Sequence, residues 1–511
     1  MRDKTFYKVY AGTLVFGPCA ILKFIVFLFV TFFVPCLVNA LQVFPDAEGY
    51  GTSWSIADWA DTTPDIYKID TLTATTALSE DSDEGAYKVY SGGFCKALTQ
   101  HDNNGNSSII IFEVGGVIDM SSCAEADLAI YGSELMVFGS SAPSPGITLT
   151  QNTSTKAELI RIHSSYVLFE NIRFRAHMSD DFCGIDMDVL NIQHASSSPA
   201  NMGNIVMDHV SLAFAVDETG EVYDLVNDAG SANEPNNVTY SNSIIGAPLD
   251  NSCHPEGRHG TGILQANTNG YIGWIKNLFI FNPNRNPVVT QPYGAGSAKV
   301  YSLNNAIHGS GDGVNRNPLS LSENNAGYDD IILATVIGGV QSQGSSRTET
   351  DYLHLDDGVE AGSEIYYSDL ICVDGTDADC VSTDVGTSFI VGAATLTPPS
   401  PAPDVLAASA VKAYLVANVG AWPKNRDSLD TALVAHFNAD TGSYEDTIAD
   451  YGGFPTLTPS SRALTIPGSP YSTSVTGYTN LEDWLHDYKD TVEGTAVPAV
   501  PANAIQGVDI Q

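Results

Sequence analysis

Basic side chains are scarce: the 511-residue chain has 22 Lys and Arg against 60 Asp and Glu, a formal net charge of −38. A surface this acidic repels phosphate backbones, which excludes nucleic acid as a natural partner. It suits solubility in salty or cation-rich surroundings, and it makes an anionic ligand hard to hold without a bridging cation. Cysteine is limited to eight residues, and no CxxC pair or His/Cys cluster has zinc spacing. No long amphipathic helical pattern precedes about residue 405, and leucine-rich and WD signatures are missing. Beyond residue 40 no segment is apolar enough to cross a bilayer.

What is present begins with an export signal. Arg2, Lys4, Lys8 and Lys23 form a basic lead-in, Phe24 to Val38 is almost wholly apolar, and Val38 and Ala40 are small residues of the kind a signal peptidase prefers. Residues 1–40 are therefore expected to be a signal peptide, leaving a secreted mature chain from Leu41 with no membrane association. An uncleaved anchor over Ile21 to Ala40 is the alternative. Cleavage removes four basic and one acidic side chain, so 22 and 60 become 18 and 59 and the net charge becomes −41. Cys95, Cys123, Cys183, Cys253, Cys372 and Cys380 remain. An even count in an exported chain favours three disulfides, Cys372–Cys380 foremost. Asn106, Asn152 and Asn237 each open an Asn-x-Ser/Thr sequon for glycosylation.

The apolar runs repeat. Those starting at Val167, Ile205, Val238, Ile272, Val300, Ile332 and Ile365 are spaced 38, 33, 34, 28, 32 and 33 residues apart. Each begins with alternate apolar positions and then turns polar at its fifth residue: Asn171, His209, Asn242, Lys276, Asn304 and Asp369, with Val336 the exception. A period near thirty with one clear strand per unit predicts a solenoid of stacked coils, about 4.8 Å apart. Asn at a fixed phase predicts a side-chain ladder in a turn. A β-sandwich would need turn signals and hairpin dipeptides at closer, regular spacing. Val405 to Asn418, Asp427 to Ala439 and the LEDWLHDY segment after Thr479 and Asn480 read as helices. The expected organisation is a β-helix over 41–400 and an extension over 401–511 packed on it, capping an open strand edge.

Equal offsets from the strand starts place residues on one side of such a stack. Asp217 and Asp250 each lie twelve residues after their strand start, and Arg285 thirteen. Asp186 and Asp188 come from the preceding coil, and Glu221 follows Asp217 by four residues. Two coil steps put Asp217 and Arg285 on the order of 10 Å apart along the axis. Carboxylates in this number suit calcium, which takes six to eight oxygens, although chance coincidence is common in so acidic a chain.

The segments also carry a resemblance. FPDAEGYG at Phe44 to Gly51 is similar to the entry motif FPGAEGFG of bacterial and fungal pectate lyases of polysaccharide lyase family 1. IIIFEVGGVIDM, YVLFENIRFR, DVLNI, MDHVSLAFAVDE, NVTYSNSIIG, HGTGILQ and NRNPVV follow in that family's order, and ANVGAWPKNRDSLD, YGGFP and TGYTNLEDWL resemble its C-terminal signature. The likeness spans Val43 to about Tyr488. It implies an all-β, right-handed parallel β-helix with short C-terminal helices. It also implies a secreted, monomeric enzyme cleaving acidic polysaccharide (pectate, polygalacturonate) by calcium-assisted β-elimination. By the same resemblance Asp186, Asp188, Asp217 and Glu221, or Glu218 in its place, are calcium ligands and Arg285 is the catalytic base. Arg258, His259 and Lys276 are expected at the substrate, with Arg258 and Lys276 helping to depress the Arg285 pKa. His209 matches a family position and is read as structural. Val288 stands where the family commonly has Arg or Lys, and Phe214 and Ala215 replace its Trp and Gly. Those departures keep open a non-catalytic sugar-binding β-helix. A polygalacturonase-like hydrolase would need acid and base Asp residues such as Asp180 and Asp181, and its Arg-x-Lys motif is absent.

Overall fold

The computed structural model describes residues 41–151, 158–179, 187–196, 198, 201–225, 235–251, 254–255, 257–290, 296–311, 318–321, 331–345 and 349–494. The expected signal peptide and Asn152, Asp180, Asp181, Cys183, Asp186 and Cys253 lie outside them. No described helix is long and apolar enough to cross a membrane.

Coils are the unit of the structure, and each contributes one strand to each of three sheets. In one coil these are Gly203–Asp208 in sheet I, Ser211–Ala213 in sheet II and Glu218–Asp224 in sheet III. Sheet I has twelve strands, and sheets II and III have nine each. Pairing is parallel throughout, apart from the Ser79–Asp83/Lys88–Gly92 hairpin and the contact of Ser460–Ser461 with Val114–Asp119. The chain is a parallel β-helix. The sequence shows one strand per period because the strands of sheet II are short and those of sheet III carry polar and charged residues among the apolar ones, as in Glu218–Asp224.

Apolar columns fill the interior. Val167, Ile205, Val238, Ile272 and Val300 are stacked in register and fully buried. The next member is Ala334 rather than Ile332. ILATVI alternates, so a shift of two residues keeps every side chain on its proper face and leaves the parity signal unchanged. With that shift the fifth residue becomes Gly338, and the Val336 exception disappears. The whole set Asn171, His209, Asn242, Lys276, Asn304, Gly338 and Asp369 has φ between 47° and 65°. The polar position is thus the left-handed corner between sheets I and II, which Asn, Asp and Gly adopt most readily.

The side-chain ladder exists one residue later than expected. Asn277 Oδ1 accepts from the Ser243 backbone N at 3.0 Å, and Asn305 Oδ1 accepts from Asn277 N at 2.8 Å. Their amides donate to Tyr240 O (2.8 Å) and Trp274 O (2.7 Å) in the preceding coils. The outward Asn171, Asn242 and Asn304 bond the C-terminal segment instead, through Ala421 O, Tyr414 Oη and Leu406 O.

Helices form at Ala408–Asn418, Ser428–Ala439 and Asn480–Glu493, close to the predicted spans. They pack on the solenoid, and among the described residues the tail pairs with a strand through Ser460–Ser461. One helix was not predicted: Phe94–Asn104 buries Phe94, Ala97, Leu98 and His101. Its apolar stripe is completed by a histidine, which hydropathy does not count as apolar. Cys95–Cys123 ties it to the following coil, and Cys372–Cys380 is also bonded.

The tail is locked by charge. Arg175 Nη2 reaches Asp427 Oδ2 at 3.2 Å and Asp430 Oδ1 at 2.7 Å, with all three side chains buried. Asp427 also caps its helix by accepting from Asp430 N at 2.8 Å. Removing one member strands a buried charge. Arg175→Met is therefore expected to cost about 3–5 kcal/mol, read as a lowered urea midpoint with the m-value unchanged. A loss below about 1 kcal/mol would show that the pair does not hold the tail.

Candidate functional site

The corner that leads into sheet III gathers the acidic residues. Asp188 opens the strand Asp188–His194 and Glu218 opens Glu218–Asp224 in the next coil, where Glu221 also lies. Asp217 immediately precedes Glu218, with its backbone N directed to Met187 O at 3.3 Å. Oxygens of Asp188, Glu218 and Glu221 lie within 4.8 Å of one another. Asp188 Oδ1 accepts from the Glu218 backbone N at 2.9 Å and its Oδ2 from Asn191 Nδ2 at 2.7 Å, while Glu221 accepts from Gln193 Nε2 at 2.7 Å.

Arg285 comes from two coils further on, in the turn between Leu278–Ile280 and Val288–Val289. Two steps separate the backbones by about 10 Å, and the long side chain covers that distance. Its guanidinium pairs with Glu218 and stands 4.0 Å from Asp217 Oδ1. The backbone at Arg285 is left-handed, φ 63°, unusual for a side chain of this size and costly enough to need support. Gly262 of the intervening coil supplies some. Ile263 N donates to Arg285 O at 2.7 Å, and a Cβ on Gly262 would meet that same oxygen at 2.0 Å. The glycine in HGTGILQ is a packing requirement of the arginine turn.

Electrostatics follow from enclosure. Burial, then the charges of Glu221 and Asp217, push the Asp188 carboxyl well above its usual range. Burial raises Glu221 to about 7, partly offset by the Gln193 hydrogen bond and reinforced by Asp217. Burial lowers Arg285, while Asp217 and Asp188 oppose that shift.

The structure brings Asp188, Asp217, Glu218, Glu221 and Arg285 to one face. His259 joins them, its Nε2 3.3 Å from Asp217 Oδ1, and so does His254, which the sequence reading did not single out. His254 joins through its approach to Asp217 Oδ2 at 3.6 Å, and no local pattern in the sequence signals it. Glu218, the alternative companion of Asp217, is the residue that contacts Arg285. Lys276 is not part of this site. It sits on the opposite corner, between sheets I and II, paired with Glu48 and 5.4 Å from the centre of the Tyr414 ring. Arg258 turns to Asp250, with Nε 2.7 Å from Oδ2, and to Tyr444 Oη at 3.0 Å. Desolvation, rather than a set of neighbouring cations, therefore depresses the arginine. His209 is bonded to Asp208 at 2.8 Å and Glu493 at 3.0 Å, a structural role. Of the sequons, Asn106 is exposed and Asn237 is half-buried beside Asn204.

Val288 lies in an outward row with Glu221, Leu264 and Ser320, so no base occupies the place where the resemblance expects one. Cavities of about 520 and 480 Å³ lie elsewhere, on the corner between sheets I and II and along the start of sheet I. The acidic face is instead a surface, with Arg285 and Asp217 side chains 24% and 16% exposed.

No family model matches the chain, and no curated protein matches it. Among solved structures it is similar to pectate lyase II of Xanthomonas campestris: 12% identity, 75% of this chain and 100% of that one, TM-score 0.37. A Bacillus subtilis pectate lyase variant gives 12%, 75% and 98%, TM-score 0.38, and the major cedar pollen allergen gives 12%, 72% and 91%, TM-score 0.39. The likeness concerns a pectate lyase-like β-helix and does not establish membership of the family.

A raised carboxyl keeps its proton in the folded chain at pH values where the unfolded chain has lost it. Glu221 therefore costs stability progressively as pH rises from 4.5 to about 7, and fully above that. In chelator, Glu221→Gln is expected to be more stable than the parent by about 1–2 kcal/mol near pH 8 and to lose that advantage near pH 4. Equal urea midpoints at both pH values would contradict the assignment.

Proposed function

We propose that this chain is a secreted pectate lyase that breaks polygalacturonate by β-elimination, with Arg285 as the base and calcium as the resident ion. One observation carries the reading: a half-buried guanidinium pairs with Glu218 and stands beside Asp217, on a partly exposed face where Asp188 and Glu221 converge on Glu218. The donor set fits calcium. Asp188, Glu218 and Glu221 converge as hard oxygen ligands, and Asp217 Oδ1 is buried without a hydrogen-bond donor among the described residues. Bound there, calcium would supply positive charge that neutralises the uronate carboxylate and acidifies the adjacent C5 proton.

The remaining work falls to the protein. The carboxylates raise the Arg285 pKa, and burial lowers it. Engaging the carboxylates elsewhere leaves burial unopposed and makes the neutral guanidine accessible. Arg285 then takes the C5 proton, the electron pair forms the C4–C5 double bond, and the C4–O bond breaks with its pair going to the leaving oxygen. That oxygen is protonated from water. The row of Leu264, Val288 and Ser320 favours a second reading, a β-helix that binds sugar without cleaving it.

Arg285→Ala is expected to lower kcat on polygalacturonate by about 10²–10⁴-fold, and to lower the urea midpoint as well because Glu218 loses its partner. Arg285→Lys, which keeps the charge, should lose activity with a smaller change in midpoint. The product to follow is the ultraviolet absorbance of the unsaturated uronate end, and a chelator should abolish it. Full activity in the variant would falsify the role of Arg285. Reducing ends without that absorbance would indicate hydrolysis, and neither signal would indicate binding alone.

A further inference from the structure

Asp217 has a second set of neighbours besides Arg285 and Glu218. The loop from Leu249 to Thr261, in the coil between those of Glu218 and Arg285, brings two histidines against it. His254 Nε2 lies 3.6 Å from Asp217 Oδ2, and His259 Nε2 lies 3.3 Å from Asp217 Oδ1. The imidazoles are stacked, with ring centres 4.3 Å apart and planes 13° apart. One nitrogen of each ring and one Asp217 oxygen fall within 4.8 Å of one another.

These separations exceed the 2.7–3.2 Å or so of a good N–H···O bond. They run to the two different oxygens of Asp217, and since the rings lie nearly parallel one of them must turn for both nitrogens to face a shared ion. Metal–ligand bonds of about 2.0–2.1 Å at tetrahedral angles put neighbouring ligand atoms roughly 3.3–3.4 Å apart. The donor set is also different in kind from the all-oxygen cluster next to it. Imidazole nitrogen is a ligand for zinc, cobalt, nickel and copper, whereas calcium takes oxygen. Burial favours such a site, since His254 is 6% exposed. Asp188, Asp217, Glu218 and Glu221 lie on this face with Arg285 paired only to Glu218 and beside Asp217, so negative charge is available for further cations.

We propose that His254, His259 and Asp217 form a second metal site, for a borderline divalent ion of the zinc type. Three protein ligands leave a fourth position for water or for a carboxylate group of the ligand. The ion adds positive charge beside Arg285 on a face that is otherwise acidic. The site shares Asp217 with the calcium reading and does not depend on it.

Two other clusters were weighed against it. Asp208, His209 and Glu493 already hold the Lys489 ammonium, which lies 2.7 Å from Asp208 Oδ2. His354, Asp356 and Asp384 offer one imidazole and an exposed carboxylate, a weaker set that serves as the internal control.

The test is calorimetric titration of chelator-treated protein with zinc chloride, repeated with cobalt to read visible absorption of the bound ion. One zinc per chain is expected at this site. Loss of an outer-sphere partner alone costs about 10–100-fold in affinity, so His254→Ala/His259→Ala should cost at least about 100-fold. Calcium affinity should be unchanged in that variant. Should it fold poorly by circular dichroism, His259→Gln, which alters a side chain 24% exposed, decides with an expected loss of about tenfold or more. Anomalous scattering at the zinc edge would place the ion. Equal zinc affinity in parent and variant overturns the proposal, as does an anomalous peak at His354 alone. Zinc binding with no calcium binding would sink only the calcium reading, and the converse would sink only this one.

Discussion

Main-chain register between coils is the constraint on which everything else here depends. Each coil hands its position to the next through parallel backbone pairing, so a residue's offset from its strand start becomes a coordinate on the surface. Asp188, Glu218 and Thr261 occupy successive coils at the head of sheet III, and Arg285 closes the following turn. The site needs no designed contact between distant segments, because the same register that stacks Val167 on Ile205 and Val238 also stacks their loops. A slip of one residue would reverse the faces and scatter the acidic group.

Such a stack tolerates corners of almost any length, and it also demands unusual corner geometry. The left-handed residues between sheets I and II lie in a column, and most are Asn, Asp or Gly. Directly behind them Asn277 and Asn305 turn their amides into the turn and satisfy backbone groups that no strand pairs. Buried polar atoms are thus matched by side chains of fixed length, leaving the apolar columns free to pack. On the outside of sheet II the cost of burying Arg173 and Arg175 is offset by Asp427 and Asp430. That pairing makes the C-terminal segment part of the fold.

Legibility in the sequence follows the same division. The solenoid was readable because alternate apolar positions recur at the coil period, and the column of polar corners could be seen although its role as a left-handed turn could not. The Ile332 phase failed since alternation has no memory beyond two residues, and only pairing partners select Ala334. Asp217 and Arg285 could be placed on one face by offset, and Asp188 and Glu221 joined them only as chain neighbours of that corner. Lys276 was misplaced, since its offset from the strand start is that of the first corner rather than the second. Glu218 and His254 depend on loop paths and side-chain rotamers, which no periodicity encodes. Helix Phe94–Asn104 was hidden because His101 completes its buried face.

The excess of acidic charge acquires a local meaning at the site. Burial, reinforced by neighbouring carboxylate charge, raises Asp188 and Glu221, a standing penalty that cations can relieve. Arg285 offsets part of it, but at the expense of its own availability, being paired with Glu218 and influenced by Asp217 and Asp188. The arginine and the carboxylates therefore compete for the same compensation, and an added cation changes the state of both. A face with a lysine or arginine at position 288 would carry that positive charge permanently. With Val288 there, this row carries no fixed positive charge, and protons retained by Asp188 and Glu221 relieve the carboxylate charge instead.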